Sequence, residues 1–235
     1  MTYEEVMSAL EAMADERTKR TYLNHGAKEP LFGVKIGDLK KLAKTVKKDQ
    51  ALAVRLFDSG NSDAMYLAAL SIDPKRTTKE QLTRWVHAAN WYMLAESAVA
   101  WVAAESPFAL ELARGWIEAE GELTAAAGWS VYASYLSIAP DETLAMDEIA
   151  GLLARARSSV HEERNRVRYA MNGFVIAVGC YVPALHGEAA AAAAAIGKVD
   201  VNVGNTACKV PLASEYIEKV ARMGRVGQKK KTCIC

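Results

Sequence analysis

Apolar residues return every three to four positions along nearly the whole chain, as in Leu39, Leu42, Ala43 and Val46, or Leu94, Ala98, Trp101 and Val102. That period gathers them on one side of an α-helix, and the two-residue alternation of a half-buried strand is almost absent. The pattern predicts an all-α protein. Breaks fall at Gly60-Asn61, Asp73-Pro74, Asn90, Ser106-Pro107, Gly121, Pro140-Asp141 and Gly187, and Ser62, Thr78, Ser106 and Asp141 stand where helix N-caps are expected. About ten to twelve helices, each of roughly 10 to 20 residues, result. Such helices joined by short polar turns suit antiparallel pairs stacked side by side as a solenoid, with a globular bundle as the alternative.

Two stretches leave this pattern. Residues 197–211 read as a long ordered loop, with a short extended piece where Val199, Val201 and Val203 alternate, before a last helix over about 212–222. Residues 223–235 are basic and glycine-punctuated, which predicts a removable tail, mobile unless bound, behind a single domain spanning 1–222. The alanine run 189–195 suits close helix packing.

Charge adds an asymmetry that the net +1 conceals. Residues 17–48 hold ten Lys or Arg against Glu29 and Asp38, residues 105–151 hold nine acids against Arg114, and residues 219–235 hold six basic residues and no acid. Basic ends flanking an acidic middle fit a polyanion held on the inner side of an arc, with Lys40, Lys41, Lys44, Lys47 and Lys48 supplying a diffuse field. Solvated helix faces are the plainer alternative. With 51% hydrophobic residues but no apolar stretch of bilayer length, and a charged amphipathic start, the expected place is the cytoplasm, near the nucleoid, with no membrane contact. The four cysteines, Cys180, Cys208, Cys233 and Cys235, lack the spacing of a zinc site or a disulfide framework and read as reduced thiols. No GxGxxG, GxxxxGK[ST], GxSxG or HExxH stretch occurs, so no cofactor and no metal are expected.

The helix expected over 161–182 carries most of the remaining signal. Val167, Ala170, Met171, Phe174, Val178 and Val182 form its apolar arc, while His161, Asn165, Arg168 and Asn172 cluster within roughly 60 to 80 degrees, continued by Gly179, where a backbone can approach closely. Guanidinium and amide groups in a row suit phosphate oxygens or base edges, and equally suit a buried polar network between helices. Arg164 and Arg168 are the sharpest candidates here. Of Trp85, Trp91, Trp101, Trp116 and Trp129, most fall on apolar faces, where packing is the default.

Three stretches together resemble one family: residues 33–44 (GVKIGDLKKLAK), Asn90-Trp91, and residues 165–179 (NRVRYAMNGFVIAVG), with the 197–211 loop and the basic end similar to one branch of it. The chain resembles, over nearly its whole length, the bacterial DNA alkylation repair proteins built from HEAT-like helical repeats, whose AlkD-type members are glycosylases. The resemblance implies an α-α superhelix with a concave basic face for duplex DNA. It also implies release of N3- and N7-alkylated purines, with tryptophans set against the DNA backbone and an aspartate stabilising the developing oxocarbenium ion. Carried over by position, Trp91 matches the first tryptophan, Ala95 stands where the aspartate belongs, and Phe174 stands where the second tryptophan belongs. The nearest carboxylate, Glu96, is one residue further on and about 100 degrees around an α-helix. Losing that anion costs orders of magnitude in rate. The expected function is therefore binding of damaged or distorted duplex DNA with weak or absent glycosylase activity. Trp91 and Glu96 are the candidate catalytic residues, and Lys40, Lys41, Lys44, Lys47, Lys48, Arg164, Asn165, Arg168 and Asn172 the candidate DNA contacts. An active alkylpurine glycosylase and a protein-binding scaffold are the alternatives.

Overall fold

A computed structural model describes residues 1–46 and 49–234; Lys47 and Lys48, two of the expected DNA contacts, lie outside the described residues. Among the described residues there are thirteen α-helices and no strand. They are α1 (Tyr3–Ala12), α2 (Glu16–Asn24), α3 (Ile36–Val46), α4 (Gln50–Asp58), α5 (Ser62–Ser71), α6 (Lys79–Ala88), α7 (Ala100–Glu105), α8 (Ala109–Ile117), α9 (Glu122–Ile138), α10 (Met146–Ser159), α11 (Asn165–Tyr181), α12 (His186–Ile196) and α13 (Ala213–Arg222). A π-helical stretch, Met93–Val99, leads directly into α7. The starts follow capping chemistry: Thr2, Asp15, Asp49, Asn61 and Thr78 each accept from an early backbone N–H, and Thr2 with Glu5 completes a capping box. Asn61 does so one residue ahead of the expected Ser62.

Two layers emerge from the packing. One row runs α3, α5, the π stretch with α7, α9, α11 and α13, each packed on the next. A second row, α4, α6, α8, α10 and α12, covers one side of the first and leaves its other side, the inner face, open. This is the stacked-pair solenoid that the 3.6-residue period and short turns suggest. The core lies between the rows. It includes Leu39, Leu56, Phe57, Trp85, Leu94, Trp129, Tyr132 and Phe174, all at most 1% exposed. Phe57 stacks on Trp85 at 4.0 Å, and Phe174 meets Trp129 and Tyr132 edge-on at 5.2 and 5.5 Å. Phe174 is thus a core residue, as its helical position suggests. The alanine run packs α12 close against its neighbours through buried Ala189, Ala192 and Ala193. A Cβ at Gly179 would stand 2.6 Å from Ile217 Cδ1, so glycine there is what admits α13 against α11.

Two irregular segments tie the row together at its ends. The 197–211 loop, which forms no strand, runs back to the N-terminal segment, where Asn205 N donates to Asn24 O at 3.2 Å. Gly204 has φ +78, and a Cβ there would stand 2.4 Å from Asn24 O, so the crossing depends on glycine. The second segment, residues 223–234, overturns the expectation of a mobile tail. It crosses the C-terminal ends of the inner helices in reverse chain order. Gly227 N donates to Cys180 O and Lys230 N to Ser137 O, both at 2.8 Å, and Lys229 Nζ reaches Leu136 O at 2.9 Å and Tyr181 O at 2.7 Å. Those carbonyls belong to the last turns of α9 and α11, where helix acceptors have no partner within the helix and the macrodipole is negative. The strap then reaches α7, where Glu105 accepts from Thr232 Oγ1, from Cys233 N at 2.8 Å and from Ile234 N at 3.3 Å. Buried Cys233 and half-buried Ile234 are the apolar anchors that made the difference.

Candidate nucleic-acid interface

The inner face is built from residues three and four apart on adjacent helices, which share one side. The π stretch presents Tyr92, Met93, Glu96 and Ser97, α9 presents Ser130, Ala133 and Ser134, and α11 presents Arg166, Tyr169, Ala170 and Gly173 around a shallow cavity of about 280 Å³. Small and hydroxyl-bearing side chains dominate, so the face is neither a cluster of lysines nor an apolar groove.

Its centre is an ion pair that the sequence reading missed. Arg166 grips Glu96 with both arms, Nε to Oε1 at 2.7 Å and Nη2 to Oε2 at 2.6 Å, with side chains 10% and 7% exposed. Its guanidinium also lies 4.0 Å from the Tyr92 ring centroid and 4.4 Å from that of Tyr169. Burial pushes the Glu96 carboxyl upward and Arg166 draws it back, while Glu96 outweighs Arg166's own burial and holds the guanidinium protonated. The backbone N–H of Arg166 donates to Glu122 Oε1 at 2.7 Å, closing the start of α11.

Glu96 reaches this face because its helix is wider than the α form. In an α-helix Glu96, five residues on, would point about 140 degrees away from Trp91. The π stretch instead groups Tyr92, Met93, Glu96 and Ser97 along the cavity and turns Ala95 wholly into the core. Neither glycine nor proline marks the insertion, so the residues there carry no signal of it. Arg166 was legible only as a core-side neighbour of Arg164 and Arg168.

Trp91 is 5% exposed, donates from Nε1 to His25 O at 2.9 Å and packs on Tyr22 at 5.3 Å. Its indole is occupied by the fold and holds the residue that follows α2 against the row. Beside it, Tyr92 Oη and His25 Nδ1 are 2.9 Å apart, and Cys208 Sγ lies 3.9 Å from His25 Nε2. A second cavity of about 400 Å³ opens along this N-terminal edge, lined by His25, Lys28, Asn90, Trp91, Glu122 and Arg166 among others.

The polar stripe of α11 is largely covered by the 197–211 loop. Asn165 Nδ2 donates to Asn202 O at 3.0 Å and Asn165 Oδ1 accepts from Asn202 N at 2.6 Å, whereas Asn172, 1% exposed, donates to Pro211 O at 2.9 Å. Asn172 is therefore no surface contact for DNA; amides at this spacing pin a loop. Arg164 Nη1 donates to Ala119 O at 3.1 Å and to Glu120 O, bracing the α8–α9 turn. Arg168 is half-buried, and its Nε has no acceptor among the described residues. His161 Nε2 lies 2.9 Å from Ile196 O. Lys40, Lys41 and Lys44 are exposed on α3, with Lys41 paired to Asp38 at 2.8 Å. The 30–34 segment leading into α3 is held by buried Asp63, which accepts from the N–H groups of Phe32, Gly33 and Val34 at 2.6 to 3.0 Å.

A row of parallel inner helices with a polar, clamped face defines a helical-repeat protein of the HEAT-like kind. Comparison with known proteins gives the same class: the model of the family described as DNA alkylation repair enzyme matches residues 6–217. The chain belongs to that family. It is 40% identical over 225 residues to uncharacterized proteins of Listeria monocytogenes (Lmo0209) and Listeria innocua (Lin0241), covering 93% of this chain and 97% of each relative. One solved structure matches with TM-score 0.91 and 37% identity, covering both chains completely, and is described as a new family of proteins related to the HEAT-like repeat DNA glycosylases with affinity for branched DNA structures. Among the described residues no single helix is long and apolar enough to cross a membrane.

Proposed function

We propose that this protein binds DNA whose double helix is branched or distorted, using the inner face, and that it releases alkylated bases slowly or not at all. The observation that carries the second half is the Glu96–Arg166 clamp. A glycosylase needs an anion facing the sugar as positive charge develops there, and such a charge works through its uncompensated field in a site of low dielectric. Glu96 is the carboxylate at the cavity, and Arg166 neutralises it with two charge-assisted bonds. Ala95, where the family resemblance places the catalytic aspartate, is buried at 0% exposure. The first half is supported by family membership and by the branched-DNA affinity of the structural relative. Tyr92 and Tyr169 offer aromatic surface to exposed bases or sugars, and Lys28, which lines the neighbouring cavity, and half-buried Arg168 on α11 are the phosphate contacts proposed for this face. A protein partner is the reading that an apolar face would have favoured, and the small hydroxyl residues here do not favour it.

Titrating plain duplex, a four-way junction and an N7-methylated duplex at several salt concentrations tests the proposal. The expected result is tighter binding to the junction, with log affinity falling linearly against log salt as phosphate contacts release counterions. Equal affinity for all three DNAs, or a flat salt response, would overturn it.

A further inference from the structure

The strap along the C-terminal edge has more than a structural consequence. Helix C-termini carry negative partial charge, so an edge formed by the ends of α3, α5, α7, α9 and α11 should repel phosphate. The strap reverses that sign. Lys229 caps two of the helix ends, and its charge is further balanced by Asp141 Oδ1 at 2.9 Å. Lys230 and Lys231 are exposed on the outside of the strap, and Lys230 Nζ lies 5.6 Å from the Tyr181 ring centroid. The strap's next residues, Thr232 and Ile234, close a cavity of about 410 Å³ with Lys40, Lys44, Leu70, Ile72, Pro74 and Glu105. Chain segments separated by almost the full length of the protein thus bring four exposed lysines to one edge. Among the described residues none of Lys40, Lys44, Lys230 and Lys231 has an ion-pair partner, and the carboxylate in their midst, Glu105, is turned onto the strap's own donors.

We propose that this strap-built edge is a second phosphate-binding surface, which holds a second arm of a branched DNA while the first lies on the inner face. The inference rests on the DNA-binding reading above and deepens it by assigning the preference for branching to named residues. The first surface is the open side of the inner row, where α9 presents Ser130, Ala133 and Ser134, and the second is the edge at the C-terminal ends of the same helices, next to it. The two longest of these helices, α9 and α11, have 17 residues each and span roughly 25 Å. The edge and the inner face point in different directions, so a duplex lying along the inner face leaves the edge free for a second arm that diverges from the first.

The experiment compares the wild-type protein with a quadruple variant, Lys40→Ala, Lys44→Ala, Lys230→Ala and Lys231→Ala, by fluorescence anisotropy on a four-way junction and on a plain duplex, after melting curves confirm that the variant folds. The variant is expected to lose about tenfold or more of its junction affinity, to bind the duplex within about twofold of wild type, and to show a salt slope on the junction that is shallower by about three to four units. Wild-type preference for the junction that survives in the variant would overturn the second surface while leaving the first proposal intact. Equal loss on both DNAs would overturn it as well, since it would make the strap part of one undivided phosphate surface. A wild-type protein with no junction preference would instead sink the reading on which the inference rests. The adjacent variant Lys231→Arg, which keeps the charge, should bind like wild type.

Discussion

The two edges of the inner helix row are closed by opposite chemistry. At the N-terminal edge side-chain oxygens and amides meet backbone groups of loops and helix starts: Asp63 to residues 32–34, Glu122 to the Arg166 N–H, Asn165 to Asn202. At the C-terminal edge the loop reaches in, and the strap's N–H groups and the Lys229 ammonium satisfy helix carbonyls. The difference follows from polarity. Helix starts leave donors that acceptors on the helices or loops can meet, and helix ends leave acceptors that only a donor-bearing segment can meet. One edge is therefore legible in side chains, and the other depends on a segment that looks in sequence like an unattached tail.

The largest expected effect is at the clamp beside the N-terminal edge. Arg166→Ala would strand the Glu96 carboxylate in a buried site, and the expected loss is about 3 to 5 kcal/mol by chemical denaturation. Arg166→Lys should recover only part of it, because an ammonium cannot reproduce the two-armed grip. The exposed counterpart, Arg114 with Glu148 at 2.8 and 2.6 Å, joins α8 to α10 with the same geometry, yet Arg114→Ala should cost less than about 1 kcal/mol. Similar losses in the two variants would show that burial does not set the worth of these pairs.

Removing the strap by truncation after Arg222 comes next in size. It deletes the bonds from Gly227 N, Lys230 N and Lys229 Nζ to helix carbonyls, at about 0.5 to 1.5 kcal/mol each, so a loss of roughly 2 to 4 kcal/mol is expected in the melting curve. An unchanged Tm would return residues 223–235 to the status of a free tail. Thiol labelling sharpens the point. Burial, with Glu105 beside it, pushes the Cys233 thiol up, whereas Cys208 at the other edge is exposed, so peptide mapping should find Cys208 modified first and Cys233 only when the strap lifts.

Asn172→Ala is the matching test of the 197–211 loop. It leaves the Pro211 carbonyl without its donor, costs about 1 to 3 kcal/mol and should speed proteolysis within 197–211. A normal cleavage rate would mean that the loop is held elsewhere.

Alkaline pH should act on both edges. Burial pushes the Tyr22 hydroxyl from 10.0 up to about 12 and the Cys180 thiol from 9.0 up to about 11. Folding keeps both neutral, so their stabilising effect is full below about pH 9 and is lost as pH rises through 11 and 12. Denaturant midpoints measured between pH 8 and 12 should fall over that window, and Tyr22→Phe should flatten its upper part.

Periodicity made the helices, the row and the core placement of Phe174 readable, because burial imposes a 3.6-residue pattern on every one of them. The face was harder to read. A wheel at 100 degrees per residue misplaces Glu96 wherever a π insertion widens the helix, and no residue pattern marks that insertion. The α11 stripe was correctly seen as a line of amides and guanidiniums, yet its partner is the 197–211 loop, whose return is fixed by contacts distant in sequence. The strap was misread for the same reason, since Cys233 and Ile234 become anchors only once α7 stands beside them.

With the carboxylate at the inner face neutralised, DNA should be held without rapid base release. Single-turnover release of 7-methylguanine from a methylated duplex saturated with the wild-type protein tests it most directly. Release close to the protein-free rate from fully bound DNA is expected, whereas fast release that Glu96→Gln abolishes would show that the Glu96 carboxylate acts uncompensated.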